Sequence, residues 1–310
     1  MSLDLPPLSG QKLGIIGLGH MGHPMAKRLK NAGAQVYIHS RNRSRLEELE
    51  QSGMIYCSSA AEMAEKVDTG TLLVCVSDTS ALEEVVHGDY GILTGLQPGA
   101  LVIDMGTSQV MNTRSIAALI QQKGACYLDA PVSGGVVGAE EGTLSIMVGG
   151  TEEGFLRAGP LFDVLGKNIS HIGPSGTGQI TKAANQMIVA MTIDAVAEAL
   201  VLAQAAGADP GKVQKALRGG FADSRILELH GKRMIDRTFQ PGATATIQLK
   251  DVHQALELAD HSGVTLPGLS KNAELWENML AQGLGQYDQS GFICMIENLQ
   301  SIQENKQGDE

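Results

Sequence analysis

Basic charge is scarce in this sequence: 23 Lys and Arg stand against 34 Asp and Glu, a formal net charge of −11. General affinity for nucleic-acid phosphates needs the opposite balance, so nucleic acid is excluded as a partner. A small anionic ligand is not excluded, because a local pocket of Arg and Lys can oppose the global charge. Cysteine is scarce too. Cys57, Cys75, Cys126 and Cys294 are scattered, three of them in apolar runs. They read as small core residues of a cytoplasmic protein in a reducing compartment, not as disulfides or a metal framework. His20 and His23 lie beside a glycine-rich turn with no further ligand near, fewer than a zinc site needs, so no metal is expected. No apolar run approaches the roughly 18 residues of a membrane span. No basic, apolar, then small-residue signal opens the chain. No membrane association is expected.

What is present is chain enough for two domains at 310 residues. Residues 1–11 read as a flexible arm. The apolar strand Lys12-Leu13-Gly14-Ile15-Ile16 runs into Gly17-Leu18-Gly19-His20-Met21-Gly22, and a helical pattern follows to Ala32, with Gly33 as its C-cap glycine. This is G-x-G-x-x-G between strand and helix, the setting a dinucleotide fingerprint requires. The first glycine permits the tight turn, the second lets backbone approach a pyrophosphate, and the third lets helix and strand pack closely. The helix N-terminus offers free N–H groups to the phosphates. The second strand, Gln35 to Ile38, ends in His39-Ser40-Arg41-Asn42-Arg43. An NAD enzyme of this type places a carboxylate there for the ribose 2′-hydroxyl. Here none is available, and Arg41 suits a 2′-phosphate through its planar fork. NADP is preferred to NAD on that ground; the plainer reading makes Arg41, Arg43 and Arg45 a solvated helix start.

Strand and helix patterns then alternate, and Leu72 to Val76, Leu101 to Asp104, Ala125 to Leu128, Gly142 to Gly150 and Asn168 to Ile172 read as strands. Short loops between such elements predict an α/β fold, a doubly wound parallel Rossmann sheet over 12–174. Ligands bind such sheets beyond the carboxyl ends of the strands. Val76 and Ser77, Thr107, and the run Asp129 to Gly135 fall there. Ser133 offers a hydroxyl, and Gly134 and Gly135 offer unobstructed N–H groups, a nest suited to a carboxylate.

After Gly173-Pro174-Ser175 the texture becomes helical, predicting an all-α domain over 175–302 and a tail over 303–310. Helix starts are marked by Asp209-Pro210, Ser224 and Asp288, as Thr151 marks one by an N-cap in the first domain. The first helix, from Gly176 to about Ala206, is apolar almost all round from Ile180 onward, which suits burial between layers. Its first turns nevertheless carry Lys182, Asn185 and Gln186, which can share one face. A lysine there is costly unless something needs it. The bland alternative, a lysine snorkelling from a helix end, is opposed by the dinucleotide pattern upstream.

Several motifs in order resemble the β-hydroxyacid dehydrogenase family, which includes 3-hydroxyisobutyrate dehydrogenase, tartronate semialdehyde reductase and 6-phosphogluconate dehydrogenase. They are Gly17 to Ala26, Asp129 to Gly135 with Gly142-Thr143-Leu144, Gly176-Thr177-Gly178 leading to Lys182, and Lys250-Asp251. Together they span nearly the whole chain. The resemblance implies that Lys182 is the catalytic acid/base, that Ser133, Gly134 and Gly135 hold the substrate carboxylate, and that Thr107 and Lys250 lie against the cofactor. Free lysine titrates near pH 10.4, and burial disfavours its charged form, bringing it toward the range where acid/base catalysis works best. Many relatives carry asparagine four residues after the lysine; here that position is Gln186, preceded by Asn185. The Lys-x-x-Asn-Gln form, Gly219 to Ser224 and Asp288-Gln289-Ser290 resemble the tartronate semialdehyde (2-hydroxy-3-oxopropionate) reductase branch. A 3-hydroxyisobutyrate dehydrogenase or another small β-hydroxyacid dehydrogenase is the alternative; a non-catalytic dinucleotide-binding module and an imine reductase are both disfavoured by Lys182. Phe221, Ser224 and Gln186 are candidates for the pocket around the C2 substituent. The apolar helix implies a homodimer or homotetramer.

Overall fold

The structure, a computed structural model, describes residues 6–43, 46–240 and 242–307. The chain divides into two compact units that part after Lys182. The first contains β1 (Lys12–Ile16), α1 (Gly22–Asn31), β2 (Gln35–His39), α2 (Glu47–Gln51), β3 (Ile55–Tyr56), α3 (Ala60–Val67), β4 (Thr71–Val74), α4 (Thr79–His87), α5 (Ile92–Gly95), β5 (Leu101–Asp104), α6 (Val110–Gln122), β6 (Cys126–Asp129), β7 (Val132–Ser133), α7 (Gly135–Glu141), β8 (Leu144–Gly150), α8 (Glu152–Leu165) and β9 (Gly166–Gly173). Among the described residues these strands form one sheet in the order β3-β2-β1-β4-β5-β6-β8-β7, with β9 also on β8.

Side chains alternate across the strands, as period two requires. Leu13, Ile15, Val36, Ile38, Leu73, Leu101 and Ile103 pack on one face with Met25 and Leu29 of α1 and Phe162 of α8. Ile16, Leu72, Val74 and Val102 pack on the other with Met63 of α3, Leu82 of α4 and Ile116 of α6. That is the doubly wound arrangement the alternating pattern implies, with one correction. The sheet runs continuously parallel from β3 to β6. Strand β8 runs antiparallel to β6 and to β7, and β9 lies parallel to β8. The link from β7 through short α7 turns back at Gly142, and only a longer crossover returns a chain parallel.

Residues 6–11, expected within a loose arm, are fastened: Leu8 is fully buried in the core and its N–H donates to Ala32 O at 2.9 Å. Residues 1–5 lie outside the described residues, as do Ser44, Arg45, Pro241 and 308–310. The compact units part after Lys182, a few residues beyond the expected change of texture at 174/175, because the start of α9 (Thr177–Ala205) is tied into the sheet.

The second unit is helical: the rest of α9, then α10 (Pro210–Leu217), α11 (Arg225–Asp236), α12 (Ala245–His261), α13 (Pro267–Ala281), a single 3-10 turn at Gln289–Gly291, and α14 (Phe292–Gln307), whose backbone is helical through part of the expected tail. The predicted caps are present. Asp209, Ser224 and Thr151 accept from the N–H groups of Lys212, Leu227 and Gly154, and Asp288 caps the 3-10 turn through Ser290 N. Ala190, Ile193, Ala197 and Leu200 of α9 join Trp276 and Phe292 in a separate core. Helix α9 is long and apolar enough to cross a membrane by length and composition, but these four residues are spent on that core. The helix is not covered all round: Ile188 is 60% and Leu202 70% exposed.

At the start of α9 backbone packs directly on backbone. A Cβ on Gly178 would lie 2.4 Å from Met147 O and 2.5 Å from Asp129 O, carbonyls that cannot step aside. Alanine in a helix normally gains about 0.5–1 kcal/mol over glycine. Gly178→Ala is expected to reverse that sign and lose about 1–3 kcal/mol by overpacking, read from urea denaturation; a stabilised variant would show that the contact yields.

Candidate active site

The nucleotide-type turn sits where the sheet order reverses. Gly17 has φ of +92°, and a Cβ there would lie 2.3 Å from Cys75 O. A Cβ on Gly22 would lie 2.0 Å from Gly17 O, so turn and helix touch through backbone. Gly19 differs: a Cβ would meet nothing within 4 Å. Its glycine leaves room on the side a ligand approaches, as the fingerprint demands. Met21, at the N-cap of α1, makes no side-chain cap bond, which leaves this end to an anion. Open space at Gly19 and an end without a side-chain cap fit a dinucleotide pyrophosphate. Leu18 is buried beneath the turn, and His20 is exposed.

Around the turn, the other expected cofactor residues stand at strand ends. Gly17 N donates to His39 O at 3.1 Å, holding the turn to the end of β2, where Ser40 is half-buried and Arg41 exposed. Arg43 lies over the Tyr56 ring at 4.8 Å; Arg45 is outside the described residues. After β4, Val76 is half-buried and the Ser77 hydroxyl donates to Asp78, which caps α4. After β5 comes Gly106-Thr107-Ser108, folded over the buried Asp104. The Asp104 carboxylate accepts from Gly106 N at 2.9 Å, Ser108 Oγ at 2.9 Å and Tyr127 Oη at 3.4 Å.

Asp129, the register partner of Asp104 on the neighbouring strand, caps α9. Its carboxylate accepts from Gly176 N at 2.7 Å and Gln179 N at 2.9 Å. A carboxylate at a helix N-terminus also meets the positive end of the helix dipole. One turn on, Lys182 is buried, at 7% exposure, and its Nζ donates to Val132 O at 2.9 Å. Val132 adjoins Ser133, and Gly134 and Gly135 follow with φ of +136° and +65°. A Cβ on Gly135 would meet nothing within 4 Å. The structure thus brings Lys182 to the strand that carries the expected carboxylate nest, and the lysine is not snorkelling.

The remaining expected residues belong to the second unit. Gln186 accepts from Asn185 Nδ2 at 2.8 Å and donates to Asp251 Oδ2 at 2.5 Å. Lys250 Nζ pairs with Asp251 Oδ1 at 3.0 Å. Asn185, Gln186 and the Lys250-Asp251 pair are therefore one polar cluster. Ser224 and Phe221 do not join it: the Ser224 hydroxyl is spent on its helix cap, and Phe221 is wholly exposed. Among the described residues no group of His, Cys, Asp and Glu is arranged to hold a metal. Reading the sequence missed Asp104, Asp129 and Gln179 as site residues; the signal was two aspartates ending successive strands, each just before a loop of interest.

Comparisons with known proteins agree on the kind of molecule. Residues 12–173 match the family described as the NAD binding domain of 6-phosphogluconate dehydrogenase. Residues 176–296 match the NAD-binding family of NADP-dependent 3-hydroxyisobutyrate dehydrogenase. The chain is 45% identical over 286 residues to the 2-hydroxy-3-oxopropionate reductase of Escherichia coli K12, covering 92% of this chain and 97% of the relative. It is 32% identical to an NAD-dependent L-serine dehydrogenase of Pseudomonas aeruginosa, covering 90% of this chain and 95% of the relative. A solved 3-hydroxyisobutyrate dehydrogenase of Mycobacterium tuberculosis superimposes with a TM-score of 0.84 at 28% identity, covering 92% of this chain and 99% of that one.

Burial lifts Asp104 from its ordinary 3.8 to about 6, against the N–H of Gly106 and the Ser108 hydroxyl, which favour the charge; neighbouring Asp129 adds to the rise. Burial raises Asp129 as well, opposed by the N–H groups it caps. Between 3.8 and about 6 the folded protein holds a proton on Asp104 that the unfolded chain has lost. The Asp104 contribution to stability is therefore greatest below 3.8 and declines as pH rises through about 6. At about 1.4 kcal/mol per pH unit, wild type should lose about 3 kcal/mol relative to Asp104→Asn between about pH 3.5 and 7. Denaturant titrations of both proteins across that range test this; a constant difference would mean that Asp104 does not titrate there.

Proposed function

The chain belongs to the β-hydroxyacid dehydrogenase family, and from that premise we propose that it is an NADP-dependent 2-hydroxy-3-oxopropionate (tartronate semialdehyde) reductase. The observation that carries the reading is Lys182, buried and hydrogen-bonded to the carbonyl beside Ser133. The 45% identity to a reductase of that name supports the substrate. A 3-hydroxyisobutyrate dehydrogenase is the second reading, favoured by the superposition on a structure so named.

A bound nicotinamide nucleotide supplies hydride to the aldehyde carbon, and takes it back in the reverse direction. The residues do the rest. The Ser133 hydroxyl and the N–H groups of Gly134 and Gly135 hold the carboxylate. The Lys182 ammonium gives its proton to the oxygen of the reduced carbon; in oxidation the neutral amine removes it. Backbone at Gly17 to Gly22 cradles the pyrophosphate, while Thr107 and Lys250 are assigned to the cofactor. Asn185 and Gln186, one turn along the helix from Lys182, are assigned to recognition of the C2 substituent. Exposed Arg41 at the end of β2 supports the preference for NADP. The exposed apolar residues Ile188 and Leu202 of α9 support a homo-oligomer in which a second copy covers that helix. The four free thiols support a cytoplasmic setting.

Lys182→Ala should reduce kcat by about 10²–10⁴-fold, the worth of a positioned acid/base, with NADPH affinity unchanged in a fluorescence titration. Turnover near that of the wild type would remove Lys182 from the chemistry. Measured at 340 nm, kcat/KM for tartronate semialdehyde should exceed that for methylmalonate semialdehyde; the reverse order selects the second reading. Arg41→Ala should erode the preference for NADPH over NADH by about 10–100-fold, the worth of a charged hydrogen bond at about 1.5–3 kcal/mol. An unchanged ratio would remove Arg41 from recognition of the 2′-phosphate, and a wild type faster with NADH would assign NAD.

A further inference from the structure

Gln179 is 1% exposed, on the first turn of α9, and its side chain is engaged at both ends. Oε1 accepts from Ser108 N at 3.2 Å, and Nε2 donates to Gly106 O at 3.0 Å and reaches Asp104 Oδ2 at 3.5 Å. Gly106 and Ser108 are the two neighbours of Thr107. The Gln179 backbone N–H goes to Asp129, and Lys182, three residues on, lies on the same helical face. One side chain therefore joins the loop that presents Thr107 to the turn that presents Lys182. Only a primary amide can serve both sides, because Ser108 N needs an acceptor and Gly106 O a donor. A glutamate would supply only acceptors and would face Asp104.

We propose that Gln179 is a positioning residue that fixes the Thr107 loop relative to Lys182 through the backbone of Gly106 and Ser108. The proposal rests on the reading of Lys182 as proton donor and deepens it. Gln179 acts through backbone it holds, on geometry rather than on binding. Misplacing a reacting group by about 1 Å costs about 10²-fold in rate, so the expected defect lies in kcat.

The test compares wild type, Gln179→Met, Thr107→Ala and the double variant. Gln179→Met keeps the volume and removes both hydrogen-bonding ends. Its kcat should fall about 10²-fold, while the dissociation constant for NADPH stays within about threefold. The double variant should be no more than about threefold slower than Thr107→Ala alone, since the two changes act on one loop. Independently of turnover, hydrogen exchange at the Ser108 amide should accelerate at least about tenfold once its acceptor is gone. A kcat within about twofold of wild type, fully additive effects, or unchanged exchange at Ser108 in the folded variant would each overturn the proposal. If wild type turns over no short semialdehyde, the functional reading fails by itself, and the exchange result still decides whether Gln179 holds the loop. Should Gln179→Met not fold, Gln179→Asn carries the same measurements, keeping the amide but lacking the reach.

Discussion

Asp129 holds the chain's longest described helix by its positive end. Its carboxylate takes the N–H groups of Gly176 and Gln179, and the helix can come so near only because Gly149 and Gly178 have no side chains. A Cβ on Gly149 would sit 2.6 Å from Asp129 Oδ1. Once that contact is made, little freedom remains downstream. Residue 182 must emerge one turn later, over the strand that leaves Asp129 by way of Pro131. Val132 O is then the acceptor in reach of its side chain. The position of the lysine follows from a cap and two missing methyl groups, not from any contact the lysine makes for itself.

That cap has an electrostatic cost. Asp104 and Asp129 are register neighbours, both buried, and burial raises both toward their neutral forms. Each compensates with directed donors rather than with a cation. Asp129 has main-chain N–H groups and the dipole of a helix; Asp104 has Gly106 N, two hydroxyls and the distant amide of Gln179. Hydrogen bonds to charged groups contribute about 1.5–3 kcal/mol each; they oppose the burial penalty without cancelling it, and both carboxyls stay raised. A lysine or arginine would neutralise the pair more simply, but it would put a second cation one turn from Lys182. Uncharged donors keep Lys182 apart from competing positive charge.

The parts legible in the sequence were those whose physics is local. The turn from Gly17 to Gly22 is defined by steric limits within six residues, and the caps at Thr151, Asp209 and Ser224 by a side chain and the N–H three residues on. The buried lysine was legible because it broke an apolar pattern. Pairing was not legible past β6: that β8 runs antiparallel depends on which strand edge is open, a non-local matter. Asp129 looked like part of a Pro-Gly loop, and Gln179 like one polar residue among several at a helix start. Their roles exist only when residues some fifty and seventy positions apart meet. Composition and the family matches change at about residue 175, whereas packing changes after Lys182, for the same reason: the cap on α9 is a non-local contact.

The same distinction bears on the departure at Gln186. Where many relatives carry asparagine, this chain has Asn185 followed by Gln186, and sequence spacing cannot tell which of the two takes the role. The structure makes them a single device. Gln186 is buried, its amide nitrogen donates to Asp251, and its oxygen is thereby left to accept from Asn185. The ion pair of Asp251 with Lys250 fixes the carboxylate that sets this direction. A longer side chain at residue 186 reaches an anchor on α12, and the shorter one before it is oriented by that anchorage. Orientation of an amide is a property of its partners, which is why the residue types were readable and their division of labour was not.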